Sequence, residues 1–257
     1  MSLVSAVTLT AGTVRVPAGI DPAPLSDALE RYVDPHGLVA YQEWKSNVAE
    51  VRKLDDFIAA YALSSGPAAT GSEEIAALIN AYNAFTIHWI LQNYPTESIR
   101  ELDDSWKKAR WNIGGRVVSL DEIEHEHLRP LYGWEVHATI VCAARSCPPL
   151  MREAYTAENL QELTDRAWHG WLAREDLNQV DEAAGIVRVS QIFKWFKPDF
   201  TGDGAVDAVL EQFAPDRHRA FLAKRSYELH YLDYHWGLND QSGRGAHYSP
   251  SLWRRLF

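Results

Sequence analysis

The chain contains, from Ser72 to Leu91, the stretch SEEIAALINAYNAFTIHWIL. Ser72 is a favoured residue at a helix N-terminus, and Glu73 and Glu74 follow in the first turn, where the helix dipole favours acidic side chains. From Ile75 to Leu91 the stretch is apolar on almost every side, which is typical of a helix buried in a core. We therefore predict one central buried helix.

Shorter helical and extended patterns lie on both sides of this helix. Amphipathic spacing predicts helices over about 48–63, 156–172, 204–213 and 216–224. Gly114-Gly115 between two short apolar runs predicts a β-hairpin, and Val136–Cys142 and Ile186–Val189 are read as strands. The pattern predicts an α+β fold in a single domain of residues 1–257, helix-rich with a small, mostly antiparallel sheet. We divide it into an N-terminal arm (1–20), a core (about 40–240) and a C-terminal tail (240–257).

Composition narrows the class of protein. The 257 residues are 46% hydrophobic and carry a net charge of −10, which indicates a globular protein and argues against a nucleic-acid partner. No run approaches about twenty apolar residues, so we expect no membrane span. The N-terminus has no basic segment of the signal-peptide kind, so we predict a cytoplasmic location, although a trimmed secreted protein would look the same. The oligomeric state stays open.

The two cysteines of the chain lie in the segment HATIVCAARSCPP, His137–Pro149. Cys147 is one candidate nucleophile, because Pro148 suits a first helical position and would place the thiol at a helix N-cap, where its pKa falls. Cys142, at the end of the predicted strand, is the other candidate. A disulfide between the two is sterically feasible but uncommon in a reducing cytosol.

The central helix carries three polar side chains, Asn80, Asn83 and His88. At about 100° per residue, Asn80 lies about 60° from Asn83 and about 80° from His88, so all three can border one polar pocket. The alternative is that they are buried groups whose hydrogen bonds hold neighbouring loops.

Two segments are similar to metal-binding motifs, but each lacks a required ligand. Glu122 and His125 have the spacing of carboxylate-bridged metal sites, but a second such pair is missing, so a Glu–His pair on a solvated face is the simpler interpretation. The stretch Asp199–Gly204 is similar to a calcium loop, yet the required twelfth-position acid falls on Leu210. We predict no cofactor and no resident metal.

Five blocks in a fixed order carry a family resemblance. The chain resembles, over roughly residues 40–240, the domain-of-unknown-function family numbered 547. At His235 we expect an acid in this family, so the chain departs from the pattern there. The blocks are Asn80–Asn83 with His88, Ser119–His125 with Leu128-Arg129, His137–Pro149, Ile192–Phe196 with Asp199-Phe200, and Tyr231–Trp236 with Leu238-Asn239.

The family in turn resembles papain-like or transglutaminase-like thiol enzymes. Such a site needs a thiol, an imidazole within reach and a group that orients the imidazole. Papain-like enzymes place the cysteine before the histidine, whereas the histidines come first here, so a permuted site or a scaffold without the chemistry is implied. The candidates are Cys147 or Cys142 as nucleophile, His125 or His137 as base, and Glu124, Asn80 or Asn83 as the orienting group.

Three functional hypotheses follow. The first is a cysteine-dependent hydrolase or acyl transferase that acts on an amide or thioester of a small molecule or peptide, with Cys147 favoured over Cys142. The second is a non-catalytic module in which the buried amides, His88 and the loop residue Ser146, with Arg129 and Arg145, bind a small anion or a peptide terminus. The third is a metal site made of Cys142, Cys147 and His137.

Overall fold

Helix α4, Ser72–Asn93, runs through the interior, as its apolar sequence predicts. The computed structural model describes residues 14–249, so most of the predicted N-terminal arm and part of the predicted C-terminal tail lie outside the described residues. Most α4 side chains from Ala76 to Leu91 are buried. Gly71, at a φ of 58°, occupies the N-cap position, and Ser72 is the first residue of the helix.

Helices on the N-terminal side of α4 build one wall around it. They are α1, Ala23–Tyr32, α2, Tyr41–Ser46, and α3, Val48–Ala60. α1 packs on α2 and α3, and both α2 and α3 contact α4. The Tyr61 hydroxyl, just after α3, donates to the Ala77 carbonyl of α4 at 2.8 Å, which fixes the end of α3 against the central helix.

The predicted hairpin is present. Strands β1, Trp111–Ile113, and β2, Arg116–Val118, pair antiparallel, with Trp111 opposite Val118. Gly114 and Gly115 both have positive φ, which two-residue hairpin turns require. The turn also packs tightly, because a Cβ on Gly114 would clash with the Arg15 carbonyl oxygen.

A continuous helical segment follows the hairpin. It begins as α5, Leu120–Glu122, continues as a π-helical stretch, Ile123–Leu128, and ends as α6, Arg129–Tyr132. Ser119 caps it, since its hydroxyl accepts from the Glu122 N–H at 3.0 Å. Pro130 does not end the segment, which continues through α6 to Tyr132.

The predicted strand Val136–Cys142 is wrong. Residues Gly133–Ala138 form a 3₁₀ helix, and an irregular loop continues to Leu150. The run is buried as expected, but a side chain rather than a neighbouring strand satisfies its backbone. Asn83 donates through Nδ2 to the Thr139 carbonyl and accepts from the Val141 N–H, both at 2.9 Å. A short apolar run is buried in either case, so its composition does not distinguish a strand from such a loop.

The C-terminal half carries helix α7, Leu160–Leu172, and a three-stranded sheet. Strands β3, Gln179–Asp181, and β4, Ile186–Val189, pair antiparallel, whereas β5, Glu228–Tyr231, pairs parallel with β4. The α+β class is confirmed, and one of the two pairings in this sheet is parallel. The remaining helices are α8, Ile192–Trp195, α9, Val206–Phe213, and α10, Asp216–Leu222.

The buried side chains of residues 14–249 form two clusters. One surrounds α4 and includes Cys147, and the other surrounds Trp168 and Trp171 of α7 and includes Phe193 of α8. Trp171 and Phe193 stack with ring centroids 5.4 Å apart. The loop after residue 138 passes where side chains of both clusters meet, which places the thiols at that junction.

Within residues 14–249, none of the helices combines the length and the apolar character that crossing a bilayer requires.

Replacing Asn83 by alanine is expected to destabilise the protein by about 2–4 kcal/mol. The change leaves a buried carbonyl and a buried N–H without partners and opens a small cavity. Urea unfolding followed by circular dichroism measures the loss. Asn93→Ala is the matched control, since Asn93 bonds the Trp89 carbonyl of its own helix and is partly exposed. Equal losses in the two variants would contradict the role assigned to Asn83.

Candidate functional site

A cavity of about 220 Å³ is lined by residues from both core clusters. Helix α4, the π-helical stretch, the 3₁₀ helix and the loop after it all contribute to its wall. The structure therefore brings the five predicted catalytic side chains to one cavity: Cys142, Cys147, His125, His137 and Glu124. Glu124 and His125 are neighbours in the chain, and both face the cavity from the π-helical stretch, a conformation frequent at functional sites.

The loop that carries the thiols is tied to the C-terminal segment. The Arg145 N–H donates to the Gly237 carbonyl at 2.8 Å, and Ala144 forms an isolated bridge with Leu238. Ala143, between the two cysteines, has a φ of 59°, which is uncommon for a residue with a Cβ. The predicted helix N-cap at Cys147 is wrong, because Pro148 continues as irregular chain. Both cysteines are free thiols.

The side chain in contact with both sulfurs is Tyr234. Its hydroxyl lies 3.1 Å from the Cys147 sulfur and 3.5 Å from the Cys142 sulfur. The backbone N–H of Cys142 also donates to the Cys147 sulfur, at 3.2 Å. We did not predict Tyr234 as a site residue, although it lies inside the last of the five sequence blocks, just after β5.

These contacts give the two thiols different pKa values. Burial alone would raise the pKa of Cys147, but hydrogen bonds from Cys142, Tyr234 and backbone N–H groups stabilise its thiolate and lower that pKa below the usual value. The hydrogen bond to Cys147, together with burial, raises the pKa of Cys142 well above its usual value. Cys147 is therefore the thiol that ionises first.

A second network holds His137. Its Nε2 lies 2.8 Å from Oδ2 of Asp199, and Arg129 binds the same carboxylate through two hydrogen bonds of 2.6 and 2.7 Å. Hydrogen bonds from His137 and Arg129 keep the pKa of Asp199 far below its usual value, so this carboxylate only accepts. Nε2 of His137 must then carry the proton, and Nδ1 is left as the basic nitrogen. Burial lowers the pKa of His137, which keeps the ring neutral at neutral pH.

His125 has less freedom to act as a base. Arg129 Nη1 lies 2.8 Å from its Nδ1, and a guanidinium only donates, so Nδ1 accepts and the proton sits on Nε2. That Nε2 faces Asp121 at 3.5 Å. Both ring nitrogens are thus engaged, and burial lowers the pKa of this ring as well.

Glu124 is buried at the cavity wall. Its Oε2 accepts from the Tyr82 hydroxyl at 3.3 Å. Burial raises its pKa to about 7, so the carboxyl changes charge close to neutral pH. The hydrogen bond of Glu124 thus goes to a tyrosine rather than to either cavity imidazole. The group that orients His137 is Asp199. Its position in the fourth of the five sequence blocks is the feature of the sequence that pointed to it.

The predicted binding residues on α4 face in different directions. Asn80 bonds the backbone of Tyr155 through both ends of its amide, at 2.7 and 2.9 Å, and borders a separate cavity of about 310 Å³. Asn83 holds the thiol loop, and His88 pairs with Asp55 at 3.0 Å. These three side chains do not share the polar pocket we expected, and the two amides act as internal supports.

The predicted binding residues beyond α4 also make contacts within the chain. Arg129 is engaged with Asp199, and Nη2 of Arg145 donates to the Asp240 carbonyl at 3.0 Å. The Ser146 hydroxyl accepts from the His235 N–H at 2.8 Å. Arg145 and Ser146 therefore fasten the thiol loop to the segment that follows Tyr234.

The described part of the chain, residues 14–249, has no group of three or more His, Cys, Asp or Glu side chains placed to hold a metal ion. The alternative of a metal on Cys142, Cys147 and His137 gains no support, because these three side chains are not placed as such a group.

A family model described as "Protein of unknown function, DUF547" matches residues 68–172. This segment matches the model of the DUF547 family. The family predicted from the sequence blocks is confirmed, over a shorter span than the roughly 40–240 of the blocks. The DUF547 segment contains α4, Glu124, both cavity histidines and both cysteines, whereas Asp199 and Tyr234 lie beyond it. No curated protein and no solved structure matches the chain.

Glu124→Gln is expected to stabilise the protein by up to about 3 kcal/mol at pH 8, because a carboxyl whose pKa rises from 4.5 to about 7 on folding resists ionisation in the native state. The folded protein binds this proton more tightly, so the native protein loses stability as pH rises through 7. The advantage of the variant should fade as pH falls towards 4.5. Urea unfolding at several pH values tests this, with exposed Glu126→Gln as control. A pH-independent difference would contradict the assignment.

Tyr234→Phe removes only the hydroxyl at the sulfurs. We expect the midpoint of the pH profile for iodoacetamide labelling of Cys147 to rise by roughly one to two units, because a hydrogen bond to the thiolate is lost. Labelling should slow at neutral pH and reach the parent rate at high pH. Peptide mapping by mass spectrometry gives the rate, and Tyr231→Phe on β5 is the control. An unchanged midpoint would remove Tyr234 from thiolate stabilisation.

Proposed function

We propose that the chain is a cysteine-dependent hydrolase or acyl transferase acting on an amide or thioester, with Cys147 as the nucleophile. The observation that carries this proposal is the environment of one sulfur. Cys147 receives hydrogen bonds from the Tyr234 hydroxyl and the Cys142 N–H, and it shares its cavity with a histidine bound to the half-buried carboxylate of Asp199. A thiolate, a base and an orienting acid are the parts that thiol-dependent acyl transfer needs.

His137 is the proposed base and Asp199 its orienting group. The proton on Nε2 points to Asp199, and so Nδ1 is the nitrogen available to the thiol or to a leaving group. Arg129 holds Asp199 in place through its two hydrogen bonds. His125 is the weaker candidate, because Arg129 and Asp121 occupy its two nitrogens.

The proposed reaction has two steps. The proton of the Cys147 thiol passes to His137, and the sulfur attacks the acyl carbon while the amine or thiol leaves with that proton. A new carbon–sulfur bond thus replaces the carbon–nitrogen or carbon–sulfur bond of the substrate. Water, or another acceptor, then attacks the acyl-enzyme with His137 as base, and the free acid or the transferred acyl product leaves.

Cys142 supports this chemistry without carrying it. Its thiol keeps its proton, since its pKa is raised, and it hydrogen-bonds to Cys147. The order His137, Cys147, Asp199 along the chain differs from the papain order. Such sites are defined by geometry and roles, and the same constellation occurs in several chain orders on unrelated folds.

A second candidate is a non-catalytic module that binds a small molecule or peptide. The specific observation in its favour is the aromatic character of the cavity wall, which is typical of ligand pockets. The two candidates differ in whether Cys147 forms a covalent intermediate.

We also infer a small-molecule or peptide substrate and a cytoplasmic location. A net charge of −10 disfavours a nucleic-acid partner, and two unbonded cysteines are the form typical of a reducing compartment. Partition of the protein between cell fractions tests the location.

Incubation with small acyl thioesters and acyl p-nitroanilides should add one acyl group to Cys147, as read by intact-protein mass and peptide mapping. Cys147→Ser should abolish the adduct, whereas Cys142→Ser should retain it. Asp199→Asn should slow turnover by roughly a hundredfold or more, because the amide N–H would force the proton of His137 onto Nδ1. His230→Gln, an exposed histidine bonded to Glu228, is the control.

Two outcomes would overturn the proposal. One is an adduct that survives Cys147→Ser. The other is a Cys147 that alkylates rapidly but takes no acyl group from any probe, which would favour the binding module. Circular dichroism of each variant separates a loss of chemistry from a loss of fold.

A further inference from the structure

Three of the large rings that line the cavity beside the thiols pack against one another: Trp195, Tyr234 and Trp236. Their centroids lie 4.6 to 5.8 Å from one another. Trp195 is 46% exposed, which is unusual for a tryptophan, so its ring is accessible to a ligand. We refer to these three residues as the aromatic wall.

The charged groups at the cavity have one sign. Asp121 and Glu124 line it, whereas its lining includes no Lys or Arg within the part of the chain that the structure describes. The nearby cation Arg129 is neutralised by its two bonds to Asp199, and both cavity histidines are kept neutral by burial. A carboxylate or phosphate on the substrate would meet the Asp121 carboxylate, and no Lys or Arg side chain of the described lining would compensate its charge.

The rings around the cavity already hold cations of the chain itself. The Arg129 guanidinium lies 5.1 Å from the centroid of Phe196, and that of Arg100 lies 5.1 Å from the centroid of Trp236. Both distances are within the range of cation–π attraction. The environment is therefore one in which aromatic faces and carboxylates together stabilise positive charge.

We propose that the substrate carries an alkylammonium group, which binds the aromatic wall with Asp121 as its counter-ion. An alkylammonium has an apolar surface that suits the rings and a charge that suits Asp121 and Glu124. This inference deepens the proposed function and rests on it for the position of the reacting sulfur. It defines the substrate as a cationic amide or thioester.

Three thiosulfonates that differ in charge test the inference on the intact protein. They are the cationic trimethylammonioethyl, the neutral methyl and the anionic sulfonatoethyl methanethiosulfonates. Each forms a mixed disulfide with Cys147 as methanesulfinate leaves, so peptide mapping gives the rate at that residue. Relative to free cysteine, the cationic reagent should be favoured over the anionic one by roughly fivefold to thirtyfold.

Two variants locate the preference. Trp195→Leu and Asp121→Asn should each reduce it several-fold, and both side chains are partly exposed, so the fold should persist. Asp103→Asn is the matched control, because Asp103 is an 85% exposed acid that is not among the cavity-lining residues. It should leave the preference for the cationic reagent unchanged. A preference equal in all variants would reflect net charge alone and would overturn the inference.

The neutral reagent separates the two proposals. If it modifies Cys147 faster than free cysteine at neutral pH but the cationic reagent has no advantage, the inference fails and the proposed nucleophile stands. If the anionic reagent is favoured, the positive charge proposed for the substrate is wrong. If even the neutral reagent modifies Cys147 no faster than free cysteine, the proposed function fails, and the inference fails with it.

Discussion

The thiol loop depends on one buried amide. Asn83, in the middle of α4, supplies both a donor and an acceptor to the backbone between Thr139 and Val141. Burying a stretch of backbone without a strand partner is costly unless each polar group finds a hydrogen bond. A single side chain meets that requirement here, and it lets an irregular loop, rather than a strand, pass over the centre of the core. Asn80 does the same for the backbone at Tyr155.

The electrostatics of the cavity follow from burial combined with selective pairing. The carboxylate of Asp199 is paired with Arg129 and His137 and stays charged, whereas Glu124 has only a tyrosine hydroxyl and titrates near neutral pH. The two sulfurs divide in the same way, since one receives hydrogen bonds and the other gives one. Groups of the same chemistry, two carboxyls and two thiols, therefore acquire different protonation states within one small volume, which is a frequent property of reactive sites.

The sequence predicted the secondary-structure elements and turns that local patterns of residues determine. The apolar run of α4, the Gly114-Gly115 turn and the Ser119 cap each follow from propensities that act over a few residues. The conformation of the loop at Val136–Cys142 was not predicted, because burial of a short apolar run is compatible with several backbone conformations. Tyr234 and Asp199 reach the cavity from positions far along the chain, so their contacts depend on tertiary packing that periodicity does not encode. The cysteines and histidines were found because their side-chain chemistry is visible without a fold.

The parallel pairing of β5 with β4 has a consequence for the thiols. Tyr234 follows directly after β5, and the segment behind it is bonded to Arg145 and Ser146. A fluctuation that detaches this last strand from the sheet would also withdraw the hydroxyl from the sulfurs. The acidity of Cys147 therefore depends on whether β5 is attached to the sheet. The rate at which the Cys147 sulfur is labelled would thus report on the local opening of β5, although the two are far apart in the sequence.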